Sequence, residues 1–224
     1  MPSAQTSSTI MRLLVQWNLA AKTRPANAAD PFDSAYIFDD VDEAVRTAQE
    51  NDQEVILTIS GTPRWANGGK SPNVMPTNVA DFTSFARAIA TRYSGRSIGY
   101  PFVRFWSVWN EPNLQLFLAP QFNAAGKSIA PANYAKLAAA AYTGIKAGNP
   151  QAQVGIGETS ARGSDKPQGL RPTHSPGKFA ELVAKANPNL KFDAWSHHPY
   201  PFNPTSPPTQ VVKWPNVSLA SLPR

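Results

Sequence analysis

The chain of 224 residues contains no cysteine. That absence excludes disulfides, thiolate metal sites and a cysteine nucleophile, and it leaves the redox compartment open. Charge is sparse too, at 16% of residues, and no apolar run is long enough to span a membrane. The first nine residues, Met1 to Thr9, lack the basic start and apolar run of a signal peptide and read as a flexible N-terminus. Secreted and cytoplasmic locations both stay open. No GxGxxG and no P-loop occurs, which removes the usual phosphate turn of a doubly wound nucleotide-binding sheet. Only three histidines are present, and two of them, His197 and His198, are adjacent. Neighbours on a strand point to opposite faces, so this pair does not read as a metal site.

What is present is a folded composition, 42% hydrophobic, with 22 prolines placed between apolar segments as loop punctuation. The net charge of +6 is scattered rather than gathered into a basic patch, so the reading is a basic globular enzyme rather than a nucleic-acid binder. The sequon Asn216-Val217-Ser218 is short enough to arise by chance.

Apolar periodicity alternates between strand and helix along residues 1–224, read as a single domain. Strands are expected over Ile10–Trp17, Glu54–Ser60, Phe102–Trp109, Gln153–Glu158 and Phe192–His197. Helical stripes fall at Val41/Ala44/Val45/Ala48 and Val79/Phe82/Ala86/Ile89/Tyr93, with Asn78 as N-cap of the second. Further helices are expected over Pro131–Ala147 and around Phe179/Leu182/Val183/Ala186. Strand–helix alternation with long loops after the strands predicts an α/β fold with a parallel sheet, of the (β/α)8 TIM-barrel kind. A closed barrel needs eight strands and ~250 residues. Five strands are found here, so the barrel is expected to be incomplete.

The strand ends carry the chemistry. Trp17-Asn18, Trp65, Asn110-Glu111, Glu158 and His198 with Tyr200 all follow strands, and in a barrel such ends meet on one face. Carboxylates, amides, an imidazole, a phenol and indoles together suit a sugar. Hydroxyls need fixed donors and acceptors, and C–H faces pack on aromatic rings. Glycosidic cleavage needs a proton donor and a second carboxylate that attacks or stabilises the anomeric carbon. Glu111 is the candidate donor, with Trp106 and Trp109 at hand to favour its protonated form. Asn110 is a candidate ligand for a sugar hydroxyl, Trp65 a stacking platform or a core residue, and Arg12 an orienter of a carboxylate.

Trp109-Asn110-Glu111-Pro112-Asn113 resembles the Asn-Glu-Pro signature of clan A glycoside hydrolases, retaining enzymes on a (β/α)8 barrel. Met11 to Trp17 resembles their second strand, Thr58 to Ala66 the end of their third, and His198-Pro199-Tyr200 the His-x-Tyr ending their sixth. The look is closest to bacterial β-xylosidase-like and cellulase-like branches. The resemblance implies that Glu111 is the acid/base and that the chain covers roughly the second to sixth strands. It implies no cofactor, an oligosaccharide or glycoside substrate, and neither a nucleic-acid nor a membrane partner. The clan's nucleophile, a Glu ending the seventh strand, is expected to lie outside this chain. Glu158 follows the fifth strand and is expected only as a pocket residue, beside His198 and Tyr200. The expected function is O-glycosyl hydrolysis in polysaccharide degradation. The rival is a carbohydrate-binding barrel fragment without turnover.

Overall fold

The computed structural model describes residues 8–201 and 205–222. Most of the N-terminal segment expected to be flexible lies outside the described residues. The chain builds five strands: β1 (Ile10–Gln16), β2 (Glu54–Ser60), β3 (Phe105–Val108), β4 (Gln153–Ser160) and β5 (Ala194–His198). Between them come α1 (Trp17–Ala20), α2 (Asp39–Glu50), α3 (Val79–Arg92), α4 (Ala130–Gly148) and α5 (Pro176–Ala186).

The strands pair in parallel in the order β1-β2-β3-β4-β5. Parallel crossovers are almost always right-handed. An order that advances one step at each crossover therefore stacks every helix on the same face. A doubly wound sheet reverses at a switch point, and none occurs among the described strands. This one-way winding is barrel winding.

Local chemistry explains the elements. Glu54–Ser60 is rich in β-branched residues, and Val55, Leu57 and Ile59 are all buried. Asn78 caps α3 by accepting a hydrogen bond from the Ala80 backbone N–H at 3.1 Å. Pro131 sits in the first turn of α4. The α3–α4 contact is close because α4 carries glycine there. A Cβ on Gly144 would lie 2.3 Å from the Thr83 carbonyl oxygen. The core lies between helices and sheet, around Trp17, Phe82, Phe85, Ile89, Trp106, Leu137 and Ile156.

Several boundaries differ from the sequence reading: β4 runs on to Ser160, past the expected end at Glu158, and β5 covers Ala194–His198 rather than Phe192–His197. β3 starts at Phe105 rather than Phe102, because Phe102 bridges back to Ser94 instead of joining the sheet. The end of β1 also turns sooner: Trp17–Ala20 forms a single helical turn where loop was expected.

Candidate active site

Strand alternation sorts β1 into two faces. Val15 is buried, and Met11 and Leu13 pack partly on the helix-side core. Arg12, Leu14 and Gln16 point to the other, inner face. Register carries that face across the sheet: Leu14 pairs with Thr58, Thr58 with Ser107, Ser107 with Gly155 and Gly155 with Ala194. The Thr58 and Ser107 hydroxyls share a hydrogen bond at 2.6 Å. On β5 the same parity turns Ser196 and His198 inward.

Simple alternation would send Glu158 into the helix layer, since Gly155 faces inward. A bulge prevents this. β4 uses one more residue than β5 between the pairs Gly155/Ala194 and Ser160/His198, with the irregularity between Ile156 and Thr159. One extra residue exchanges the faces. Gly157 adopts φ 101° there, and a Cβ on it would strike the Trp195 ring at 2.7 Å. Glu158 therefore joins the inner face.

The result is one connected set of side chains. His198 Nδ1 lies 3.1 Å from Glu111 Oε1, and its Nε2 lies 3.0 Å from Glu158 Oε2. Arg12 Nη2 donates to Glu158 Oε2 at 2.6 Å and to Asn110 Oδ1 at 3.1 Å. Five of the seven expected site residues thus meet at the C-terminal edge of the sheet. Tyr200 stands beside them, its ring 5.8 Å from the His198 ring, but it is mostly exposed. Trp65 is placed apart from this network. Its indole N–H donates to the Ala21 carbonyl at 2.8 Å, its ring meets Trp17 edge-on, and the Arg24 guanidinium covers it at 4.4 Å.

The two carboxylates differ in kind. The Glu158 side chain is 3% exposed and Glu111 15%. Burial works against a charged Glu158, but hydrogen bonds from His198 and Ser196 and the Arg12 charge outweigh it, so its carboxyl sits below the usual range. Burial likewise disfavours an imidazolium at His198. Its hydrogen bonds to Glu111 and Glu158, with the Glu158 charge, override burial and the Arg12 charge and lift it to about 9. His198 is therefore a cation near neutral pH, donating to both glutamates. His197 faces the other way, with Nδ1 2.8 Å from Thr159 Oγ1 and Nε2 3.1 Å from the Val217 carbonyl. Burial holds it below the ordinary histidine value.

Several positioning residues escaped the sequence reading. Asn113 is fully buried. Its Nδ2 donates to the His174 carbonyl at 2.9 Å, and its Oδ1 accepts from the Ser160 N–H at 2.8 Å. It ties the Glu111 loop to the end of β4. The Glu111 N–H also donates to the Glu158 carbonyl at 2.9 Å. Tyr134 of α4 braces the same joint from behind: its hydroxyl donates to the Val108 carbonyl and accepts from the Gly157 N–H. The second Asn of Asn-Glu-Pro-Asn and the glycines flanking Ile156 were the available signals. The neighbouring indoles are buried. Trp106 donates to the Val103 carbonyl, and Trp109 packs edge-on to Phe82 and donates to the Phe117 carbonyl, so both belong to the core.

The one-way parallel sheet and its C-terminal edge are those of the clan A barrel glycoside hydrolases. Residues 3–212 match Cellulase (glycosyl hydrolase family 5), and the chain belongs to that family. Solved structures share the fold. A glucosidase from Croceicoccus marinus is similar over 87% of this chain and 38% of its own, at 17% identity and a TM-score of 0.63. A family 39 glycoside hydrolase from Bacteroides cellulosilyticus WH2 is similar over 86% and 33%, at 18% identity and 0.55. A monomeric β-xylosidase from Caulobacter crescentus CB15 is similar over 74% and 31%, at 21% identity and 0.52. The chain thus spans less than two fifths of each of these structures. A search of the curated proteins found no match.

Proposed function

We propose that this chain carries the acid/base half of a retaining glycosidase acting on oligo- or polysaccharides. The observation that carries the reading is the His198 bridge between a partly buried Glu111 and a fully buried Glu158 on one strand-end edge. Glu111 protonates the departing glycosidic oxygen and later takes a proton from the incoming water. His198 occupies Oε1 of Glu111 and so sets the direction of the other oxygen. Asn110 gives its carbonyl oxygen to Arg12, which leaves its amide N–H to donate to a sugar hydroxyl. Glu158 is pinned by Arg12 and His198 and acts as a positioning residue. We assign the nucleophile to a carboxylate outside residues 1–224. No cofactor, nucleic acid or membrane enters this scheme. Among the described residues no helix is long and apolar enough to cross a membrane.

The test is Glu111→Gln in the active protein. Turnover of unactivated oligosaccharides should fall at least ~100-fold, within the range general acid–base catalysis supplies. Aryl glycosides with good leaving groups should keep their first step, and azide should restore the second. An unchanged rate on natural sugars would remove Glu111 from the mechanism. The burial of Glu158 also favours a second reading, sugar binding without turnover. Oligosaccharide binding without any aryl-glycoside release would select it.

A further inference from the structure

We propose that Gln121 and His174 form a latch behind the Glu111 turn and act as positioning residues for its carboxyl. The proposal rests on the glycosidase reading above and adds to it what holds the acid/base in place.

Glu111 sits at φ 42°. A residue with a side chain persists there only where its surroundings over-determine the backbone. Here the control falls on the two residues that follow it. The Pro112 carbonyl accepts from Gln121 Nε2 at 2.9 Å, and the same amide donates to the Leu118 carbonyl at 2.6 Å. Asn113 is tied to His174 twice. The His174 N–H donates to the Asn113 carbonyl at 2.8 Å, and Asn113 Nδ2 donates to the His174 carbonyl at 2.9 Å. The His174 ring closes the circuit, with Nδ1 2.7 Å from Gln121 Oε1. Pro112 and Asn113 are thus gripped by two buried residues that bond to each other.

The direction of each bond follows from the chemistry. The Gln121 amide nitrogen faces two carbonyls, so Oε1 is the end turned to His174. Nδ1 therefore carries the ring proton, and Nε2 accepts from Ser128 Oγ at 2.7 Å. Burial keeps this ring neutral near pH 7, as the arrangement requires. Phe122 stacks on the ring at 4.4 Å, and Phe179 of α5 meets it edge-on. The Gln121 carbonyl accepts from the Ile129 and Ala130 N–H groups, which seats its backbone at the start of α4. Packing alone would be served by an apolar pair. Instead a chain of one-way hydrogen bonds runs from Ser128 through His174 and Gln121 to the residue beside Glu111.

Imidazole nitrogen NMR tests this first on the unaltered chain. His174 should be the Nδ1–H tautomer at pH 7.5, and an Nε2–H ring would overturn the latch. Two variants follow. Gln121→Met keeps the length of the side chain and removes its hydrogen bonds. His174→Phe keeps the stacked ring and removes its polar atoms. The readout is His198, whose Nδ1 lies 3.1 Å from Glu111 Oε1. Either variant should lower the His198 midpoint by about one unit, because one of its two carboxylate partners drifts away. His174→Asn returns a donor near the Nδ1 position and should restore most of that shift. In the active protein, Gln121→Met should lower kcat roughly 10–100-fold and leave KM nearly unchanged, as a displaced catalytic group does. A His198 midpoint unmoved in either folded variant would reduce the pair to packing and leave the glycosidase reading standing. A lowered midpoint beside an undiminished Glu111→Gln rate would keep the latch and remove the reading it serves.

Discussion

His198 offers a charge that can be measured directly. Its value of about 9 against an ordinary 6.5 means that the folded protein holds this proton more tightly than the unfolded chain. Each unit is worth about 1.36 kcal/mol, so the network contributes on the order of 3 kcal/mol through this group. Because the folded value is the higher one, that contribution is complete below pH 6.5 and disappears as pH rises through 9. The chain has only three histidines. Burial holds His174 down at about 4 and depresses His197 as well. Imidazole nitrogen NMR should therefore show one charged ring and two neutral rings at pH 7.5. The charged signal should vanish in His198→Gln. Urea unfolding of the parent protein should lose about 3 kcal/mol between pH 6.5 and 9.5, and His198→Gln should flatten that slope. A midpoint for His198 below 7, or the same slope in the variant, would refute the picture of an imidazolium clamped between Glu111 and Glu158.

Two further outcomes test the scaffold. Gly144→Ala should destabilise by about 1–3 kcal/mol, because its methyl meets the Thr83 backbone oxygen. Helix propensity alone predicts a gain of about 1 kcal/mol, so the sign of the urea midpoint shift decides between them. Trp65→Ala should cost about 3 kcal/mol through its lost contacts with Trp17, Ala21 and Arg24, and should leave oligosaccharide affinity unchanged. Weaker sugar binding at unchanged stability would make Trp65 the stacking platform after all.

The elements were legible because their signals are local. Glu54–Ser60 was readable end to end from β-branched content, and Asn78 from cap chemistry. The alternation of strand and helix also conveyed a parallel sheet with its chemistry at one edge. What stayed hidden depends on distance along the chain. Arg12 and Glu158 are 146 residues apart, and no spacing announces their ion pair. The inward turn of Glu158 requires a bulge, and a one-residue slip inverts any face read from periodicity. Asn113 looked like the tail of a motif, yet it accepts and donates across two loops.

Trp109, Glu111 and Glu158 hold φ values of 70°, 42° and 45°, a backbone shape that side-chain-bearing residues resist. Each such position costs about 1–2 kcal/mol, which glycine would recover. Trp109 and Glu158 are held by buried contacts worth more than that, so screening for heat endurance alone should drift toward glycine only at Glu111. Screens for sugar turnover should hold Glu111 in place, so the two kinds of selection would pull that one codon apart.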